Sequence, residues 1–142
     1  MMKKTIDAYV LDTSAILALI EDEEGADVVF DLLEKSGAGN IVIFVSFMSF
    51  MEVYYITLRE HDETEAQVRL QLMNSMPILR VDSNETLGIL ASQFKVSYHL
   101  SNADAWIAAL AKDRNAIWVH KDPEFEQVEM EINVLKLPYK TK

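Results

Sequence analysis

Four acidic residues occupy positions at which carboxylates can do chemistry: Asp12, Glu52, Asp104 and Asp122. Asp12 directly follows the mostly apolar run 6–11, and Asp122 comes shortly after the apolar run 116–119. Both runs are typical of buried strands. In open α/β sheets, ligands bind at the carboxyl ends of the strands. The two strand-end acids can therefore meet the two remaining acids, which lie on predicted helices, in one crevice if both strands are central.

Glu52 and Asp104 lie on helical stretches that offer them no basic partner. The residues three and four positions away from Glu52 are all uncharged, and Asp104 is the only charged residue in the stretch 100–110. An unpaired carboxylate that faces an apolar core is costly. Each side chain is therefore expected to face either solvent or a cavity that holds a cation.

Each acid also has an ordinary structural explanation. Asp12 can cap the helix that follows it. Asp104 comes three residues after Ser101, which is the spacing of a capping box. Asp122 precedes a proline, which is a common helix start. Glu52 can turn to solvent at the edge of its apolar stripe. The sequence leaves these alternatives open beside the chemical one.

A cluster of three or four carboxylates without matching bases needs a counterion to stay ionised. Mg²⁺ and Mn²⁺ prefer oxygen ligands, and Mg²⁺ keeps several waters. Such an ion lowers the pKa of a bound water, and two ions about 3.5–4 Å apart can stabilise both the attacking and the leaving oxygen of a phosphodiester. The pattern therefore points to metal-dependent phosphodiester hydrolysis. The chain has no cysteine, which excludes a thiolate metal site.

Apolar periodicity predicts the elements that position these acids. Strands are predicted over residues 6–11, 41–45, 78–81 and 116–119, with a final edge strand over 131–137. Helices are predicted over 15–20, 26–35 and 47–59, from Asp62 or Thr64 to Pro77, over 83–94 with Ser83 as cap, and over 101–113. This alternation predicts a three-layer α/β/α sandwich with a mostly parallel central sheet of about five strands, in one domain over 1–142.

Composition restricts the class of protein. Half of the 142 residues are apolar, and 13 basic against 23 acidic residues give a net charge of −10. This charge argues against a protein that coats phosphates with a basic face, although divalent cations can neutralise an acidic site, and it suits a basic protein partner. No apolar run reaches the roughly 20 residues that cross a membrane, and no secretory leader pattern is found. A cytoplasmic protein is therefore expected.

The order of the motifs resembles that of the PIN-domain nucleases, most closely the VapC-type toxins of prokaryotic toxin–antitoxin pairs and their stand-alone relatives. The resemblance extends from about residue 9 to 125 and on into the last strand. It implies a five-stranded parallel sheet between helices, a divalent-metal site and endoribonuclease activity, commonly within a homodimer. The matching features are Asp12-Thr13-Ser14 after the first strand, Glu52 in the helix after Ser46, Ser101-x-x-Asp104, and Asp122-x-Glu124-Phe125.

By matching position, the resemblance implies that Asp12, Asp104 and Glu52 bind the principal Mg²⁺ or Mn²⁺ ion. Asp122 would bind a second ion or act through water. All four would thus be catalytic and metal-ligating residues.

The neighbours of these acids receive supporting roles in the same interpretation. Ser14 or Thr13 would hold the first carboxylate by a hydrogen bond. Lys112, Arg114 and Lys121 follow or flank the third and fourth acids and are the candidates for guiding a phosphate backbone, although any one of them can equally be ordinary surface charge.

Two residues beside Asp122 depart from the family pattern. His120 stands where the family usually has threonine or serine, and Pro123 stiffens the loop that carries the acid. A structural role is expected for His120, and Trp118 is expected in the core.

The leading hypothesis is a Mg²⁺/Mn²⁺-dependent ribonuclease that acts on RNA as the toxin of a pair. The resemblance implies an antitoxin whose tail occludes the acidic pocket. The alternatives are a catalytically silent PIN-fold binding or scaffold module and a stand-alone RNA-processing nuclease without antitoxin. A phosphatase or nucleotide-binding protein is disfavoured, because the sequence has neither an Asp-x-Asp loop nor a glycine-rich turn.

Overall fold

A parallel sheet of five strands forms the centre of the structure, a computed structural model that describes residues 6–140. The strand order is β3-β2-β1-β4-β5, and every neighbouring pair is parallel. Because β1 is central, the residues that follow β1, β2 and β4 come together at one edge of the sheet. The strands are β1 (Asp7–Leu11), β2 (Ile41–Ser46), β3 (Leu79–Val81), β4 (Ile117–His120) and β5 (Val134–Lys136).

Between residues 6 and 140, six α-helices and one 3₁₀ helix connect the strands. A 3₁₀ helix, Pro123–Val128, joins β4 to β5. The predicted α/β/α sandwich with a parallel sheet of five strands is confirmed. The α-helices are α1 (Thr13–Ile20), α2 (Ala26–Gly37), α3 (Phe47–Glu60), α4 (Glu63–Ser75), α5 (Glu85–Ser97) and α6 (Asn102–Asp113).

Both faces of the sheet are buried, because successive strand residues point to opposite sides. Val10 and Trp118 pack into one core together with residues of α5, α6 and the 3₁₀ helix. Leu11 and Val119 pack into a second core with residues of α1, α2 and α3. This alternation determines which strand-end side chains share a face, and it places Asp12 on the face of Val10.

Polar side chains begin several helices at the predicted positions. Asp12 caps α1, Ser46 caps α3, Asp62 caps α4 and Ser101 caps α6. The prediction for α5 is wrong by one residue: Asn84, not Ser83, accepts the Leu87 N–H at 2.9 Å. The helix also continues to Ser97 instead of ending at Phe94.

The last strand is shorter than the predicted range 131–137. The backbone N–H groups of Glu131 and Ile132 donate to the carbonyl of Val128, at 2.9 and 3.0 Å. These residues therefore still close the turn after the 3₁₀ helix, and pairing with β4 begins only at Val134. Between residues 6 and 140, no helix has the length and apolarity needed to span a membrane.

Candidate active site

Asp12 lies at the carboxyl edge of the sheet, directly after β1, and is 4% exposed. Its Oδ2 accepts hydrogen bonds from the backbone N and the Oγ of Ser14, at 3.0 and 2.6 Å. Its Oδ1 accepts one from the indole Nε1 of Trp118 at 3.2 Å. Among residues 6–140, no Lys or Arg side chain hydrogen-bonds or forms an ion pair with this carboxylate. Asp12 thus caps α1 and is also a buried carboxylate without a cationic partner.

Glu52 comes close to Asp12 through the first residue of α1. Thr13 Oγ1 donates to Glu52 Oε1 at 2.7 Å and lies 2.9 Å from Ser49 Oγ, one turn earlier on α3. Ser14 therefore holds Asp12, while Thr13 holds Glu52 and not Asp12. Ser14 makes the hydrogen bond to the first carboxylate that was predicted for Ser14 or Thr13, and Thr13 bonds the second acid instead.

Asp104 lies in the first turn of α6, and its backbone N–H donates to Ser101 Oγ at 3.1 Å. Only three residues separate the end of α6 from the start of β4. The helix therefore runs back along the sheet, and its first turn lies at the carboxyl edge. Asp104 is half-buried there.

The electrostatics show that these acids act on one another. The pKa of Asp12 is raised to about 7: burial is the largest cause, the hydrogen bonds from Ser14 lower the pKa, and repulsion from Asp104 and Glu52 raises it. Burial likewise raises the pKa of Asp104 to about 6, with repulsion from nearby acids added to it: Glu52, Asp122 and Glu124. Full ionisation of the cluster is therefore unfavourable without added positive charge.

Asp122 follows β4 and begins the 3₁₀ helix, where its Oδ1 accepts the Glu124 N–H at 2.9 Å. Its own backbone N–H donates to Nδ1 of His120 at 3.0 Å. The charge of Asp122 helps to raise the pKa of Asp104, so this fourth acid is part of the same electrostatic cluster. Glu124 belongs to this group as well. The sequence pattern names Glu124 only as part of the motif that begins with Asp122.

His120 is completely buried and surrounded by aromatic rings, those of Trp118, Phe125 and Tyr139. Burial lowers the pKa of this imidazole because it disfavours the charged form. Its Nε2 has no hydrogen-bond partner in the part of the chain that the structure describes. The buried position agrees with the structural role expected for His120.

The side chains of the three basic residues expected near the substrate contact groups outside the acid cluster. Lys121 is buried, and its Nζ donates to the carbonyl of Glu24 at 2.8 Å and lies 3.8 Å from Glu23. Lys112 contacts Glu131, and Arg114 contacts Asp113.

Helix geometry explains the position of Lys112 and Arg114. Lys112 lies eight residues after Asp104 on α6, which is about 12 Å along the helix axis at 1.5 Å per residue. Arg114 follows the end of the same helix and lies over the ring of Phe44. Lys112 and Arg114 therefore lie near the amino-terminal ends of the strands, whereas the acids lie at the carboxyl ends. Their closeness to Asp104 in sequence does not bring them close to it in space.

The residues of the acid cluster fit a hard divalent cation by the chemistry of their donors. They supply carboxylate and hydroxyl oxygens, with a charge that needs compensation. Among the described residues, only exposed Glu21, Glu60 and His61 bring three metal-ligating atoms within 4.8 Å of one another. The four predicted acids are thus more widely spread. This spacing suits Mg²⁺, which keeps several waters and can reach some of the acids through them.

Residues 9–130 match the family model described as PIN domain. No curated protein matches the chain in sequence. Solved structures with a similar fold include VapBC2 from Rickettsia felis bound to a DNA fragment from their promoter, with a TM-score of 0.74 and 18% identity over 92% of this chain and 98% of that one.

Two further structures are similar over most of their length. DNA-bound VapBC from Salmonella typhimurium has a TM-score of 0.72 and 18% identity, covering 93% of this chain and 98% of that chain. VapC20 from Mycobacterium tuberculosis, described as a Sarcin-Ricin loop cleaving toxin, has a TM-score of 0.67 and 17% identity, covering 84% and 94%. At these identities the likeness concerns the fold.

The family model covers most of the chain and includes all four acids, and the fold agrees with it. The resemblance found in the sequence is confirmed. The chain belongs to the PIN domain family.

Proposed function

We propose that this chain is a divalent-metal-dependent endoribonuclease that hydrolyses RNA phosphodiester bonds as the toxin of a toxin–antitoxin pair. The observation that carries the proposal is the buried Asp12 carboxylate. Asp104 and Glu52 repel its charge, and it contacts no base in the described chain. A fold maintains such an arrangement at a cost in stability, because buried charges are normally paired. Binding of a cation would offset that cost.

Asp12, Glu52 and Asp104 would hold the principal Mg²⁺ or Mn²⁺ ion, and Asp122 a second ion or a metal-bound water. The cation would lower the pKa of a bound water and offset charge on the scissile phosphate. The protein's own part is to hold its carboxylates in place: Ser14 orients Asp12, and Thr13 orients Glu52. Among residues 6–140 no base pairs with Asp12, so the cation would also supply attraction for the phosphate.

The test of this proposal is RNA cleavage by the purified chain with Mg²⁺ or Mn²⁺. The substrates are a labelled RNA oligonucleotide and a DNA oligonucleotide of the same sequence, each with an EDTA control. Asp104→Asn is expected to lose cleavage by roughly 1000-fold, because a cation contributes several kcal/mol of charge stabilisation. Asp113→Asn, at the other end of the same helix, is the matched control and is expected to cleave like wild type.

Two results would overturn the nuclease proposal. One is equal cleavage by wild type and Asp104→Asn, which indicates a contaminating nuclease. The other is a chain that binds neither Mg²⁺ nor Mn²⁺ in a calorimetric titration. Either result would favour the catalytically silent binding or scaffold module.

A protein partner is the second part of the proposal, and an apolar groove supports it. Residues of α1, α2 and α4 line a groove of about 490 Å³, and Phe30 in it is 56% exposed. Exposed apolar residues that line a groove are a candidate interaction site. The net charge of −10 favours a basic partner, and similar folds are found in VapBC complexes. The groove is lined mainly by Leu19, Ile20, Phe30, Leu33, Leu72 and Met76.

Co-expression with the product of the neighbouring gene tests the antitoxin. Phe30→Asp is expected to weaken co-purification at least tenfold, because a charge then faces the apolar contact. Met130→Asp, at a 95% exposed site outside the groove, is the control. Cleavage without any inhibiting partner would instead favour a stand-alone RNA-processing nuclease.

Self-association, which the family resemblance implies, is also part of the proposal. Ile89 and Val96 on α5 are exposed apolar residues that a second copy can cover. Light scattering is expected to give the mass of a dimer for wild type and of a monomer for Val96→Glu. A monomeric wild type would contradict it.

A further inference from the structure

We propose that Trp118 and His120, two aromatic residues of β4, are positioning residues that set where Asp12 and Asp122 lie. The inference deepens the proposed metal-dependent function and rests on it. Neither ring reaches the surface, since both side chains are completely buried. They therefore act through the carboxylates and do not touch the substrate.

Strand register brings Trp118 to Asp12. Val10 of β1 is paired with Trp118 of β4, and Asp12 follows Val10 by two residues, so its side chain continues on the same face. The indole N–H reaches Oδ1 of Asp12 at 3.2 Å. Ser14 already donates twice to Oδ2. The two oxygens of the carboxylate are thus held from opposite sides, one by α1 and one by β4.

His120 holds the loop that carries Asp122. Nδ1 of His120 accepts the backbone N–H of Asp122 at 3.0 Å, so the ring proton of the neutral imidazole lies on Nε2. That Nε2 is buried and has no partner among residues 6–140. A buried N–H without an acceptor is costly, and phenylalanine would fill the same space without it. The Nδ1 acceptor is therefore the feature that an imidazole contributes here.

Aromatic packing joins the two positioning residues into one unit. Phe125 stacks on Trp118 with ring centroids 4.3 Å apart and meets His120 edge-on at 5.1 Å. The rings of Trp118 and His120 are 5.8 Å apart. Close packing of this kind restricts side-chain movement. The separation of Asp12 and Asp122 is consequently set by three packed rings, in addition to the backbone of β4.

Four substitutions separate positioning from simple packing. His120→Phe keeps a ring between Trp118 and Tyr139 but has no acceptor, whereas His120→Asn keeps an acceptor near Nδ1 and loses the ring. Trp118→Phe keeps a ring and removes the N–H. Trp106→Phe is the control, because Trp106 packs edge-on against Phe47 and is the only other tryptophan.

Manganese binding by calorimetry and thermal unfolding are measured on each variant. Loss of an outer hydrogen bond to a metal ligand typically weakens metal binding by about 10- to 100-fold. We expect a roughly tenfold higher Kd for Trp118→Phe and His120→Phe, with wild-type values for Trp106→Phe and His120→Asn. We expect the lowest unfolding temperature for His120→Asn, because it leaves a cavity. A residue that acts only by packing cannot produce this opposite ordering of binding and stability.

A readout without metal keeps the inference separate from the proposed function. In ¹⁵N spectra of the metal-free chain, the Asp122 amide is expected to exchange with solvent faster in His120→Phe than in wild type or His120→Asn. The Trp118 indole N–H signal is expected to shift in Asp12→Asn. If wild type binds no manganese, the proposed function fails and these spectra alone decide the inference. Unchanged spectra, or metal affinities that follow stability across the variants, would overturn it.

Discussion

Two charged residues are buried in different parts of this protein, and their surroundings are opposite. Arg69 on α4 is 6% exposed, and its guanidinium contacts Glu21 at 3.1 Å, Glu65 at 3.3 Å and the Thr57 hydroxyl at 3.4 Å. Asp12 is 4% exposed, and the charged groups that raise its pKa are the acids Asp104 and Glu52. One buried charge is neutralised by its neighbours and the other is made more costly by them.

This difference separates structural from functional burial. The contacts of Arg69 connect α4 to α3 and to the end of α1. Its positive charge is paired with carboxylates of the same chain. The Asp12 cluster has no partner of opposite charge among residues 6–140, and under the proposed function a cation from outside supplies the missing positive charge. Perturbed titration in a group of like charges is a property of functional sites, whereas a satisfied ion pair needs no function to explain it. The predictions below test this distinction, beginning with the largest effect.

The largest effect is expected for Asp12→Asn in RNA cleavage. Loss of the central carboxylate removes a proposed metal ligand, and cleavage is expected to fall by roughly 1000-fold or more. Asp27→Asn, an exposed acid on α2, is the control and is expected to retain full cleavage. A variant at Asp12 that retains most of its activity would place the chemistry elsewhere.

The second prediction concerns stability and pH without metal. The folded-state pKa of Asp12, about 7, is above the ordinary value of 3.8, so between these values the folded chain holds a proton that the unfolded chain has lost. This carboxyl therefore contributes most favourably below pH 3.8, and its contribution falls as the pH rises to about 7. The expected loss is on the order of a few kcal/mol.

Denaturant unfolding of wild type and Asp12→Asn at pH 4 and pH 8 measures that loss. Wild type is expected to lose stability relative to the variant across this range. Saturating Mg²⁺ at pH 8 is expected to restore it in wild type only, because binding to the folded state stabilises it. Parallel pH dependence of the two proteins would remove the distinction between Asp12 and an ordinary cap.

Arg69→Met tests the other half of the comparison. Its loss leaves Glu21 and Glu65 without their shared partner, and we expect unfolding to become easier by roughly 1–3 kcal/mol. The manganese affinity is expected to stay at the wild-type value. Arg59→Met is the control, since Arg59 is exposed and lies over the ring of Tyr55. Reduced metal affinity in Arg69→Met, with the fold intact, would show that the two clusters are coupled.

The smallest effect is expected for Lys112→Gln and Arg114→Gln. Both residues lie at the edge of the sheet away from the acids, so cleavage is expected to change less than about twofold and stability by about 0.5 kcal/mol or less. A large loss of RNA affinity in either variant would contradict this prediction and would indicate that the residue guides the phosphate backbone.

The order of elements and the strand-end acids were predictable because they depend on local pattern. Apolar runs identify buried strands, and Ser46, Asp62 and Ser101 identify helix starts by their type and position. The errors arose where two local choices compete. Ser83 and Asn84 are both good caps, and only the hydrogen bond to the Leu87 N–H selects Asn84.

Contacts between distant residues could not be predicted in the same way. The prediction that Trp118 lies in the core is correct, but its hydrogen bond to Asp12 depends on the register of β1 and β4, and the two residues are 106 positions apart in sequence. Lys121 was expected beside the substrate because it adjoins Asp122. Its backbone N–H is near the site, bound to Ser14 Oγ at 3.1 Å, while its side chain reaches Glu24.

The amino-acid sequence by itself determined the alternating strands and helices, the family and the four acids, because each is expressed in residues that lie close together along the chain. Only the tertiary structure decided which side chains lie next to each charged group. It placed acids around Asp12 and gave Arg69 two carboxylates, and it carried Lys112 and Arg114 to the far edge of the sheet. The physical reason is that the cost of a buried charge depends on the neighbours that folding brings to it, and those neighbours come from distant parts of the sequence.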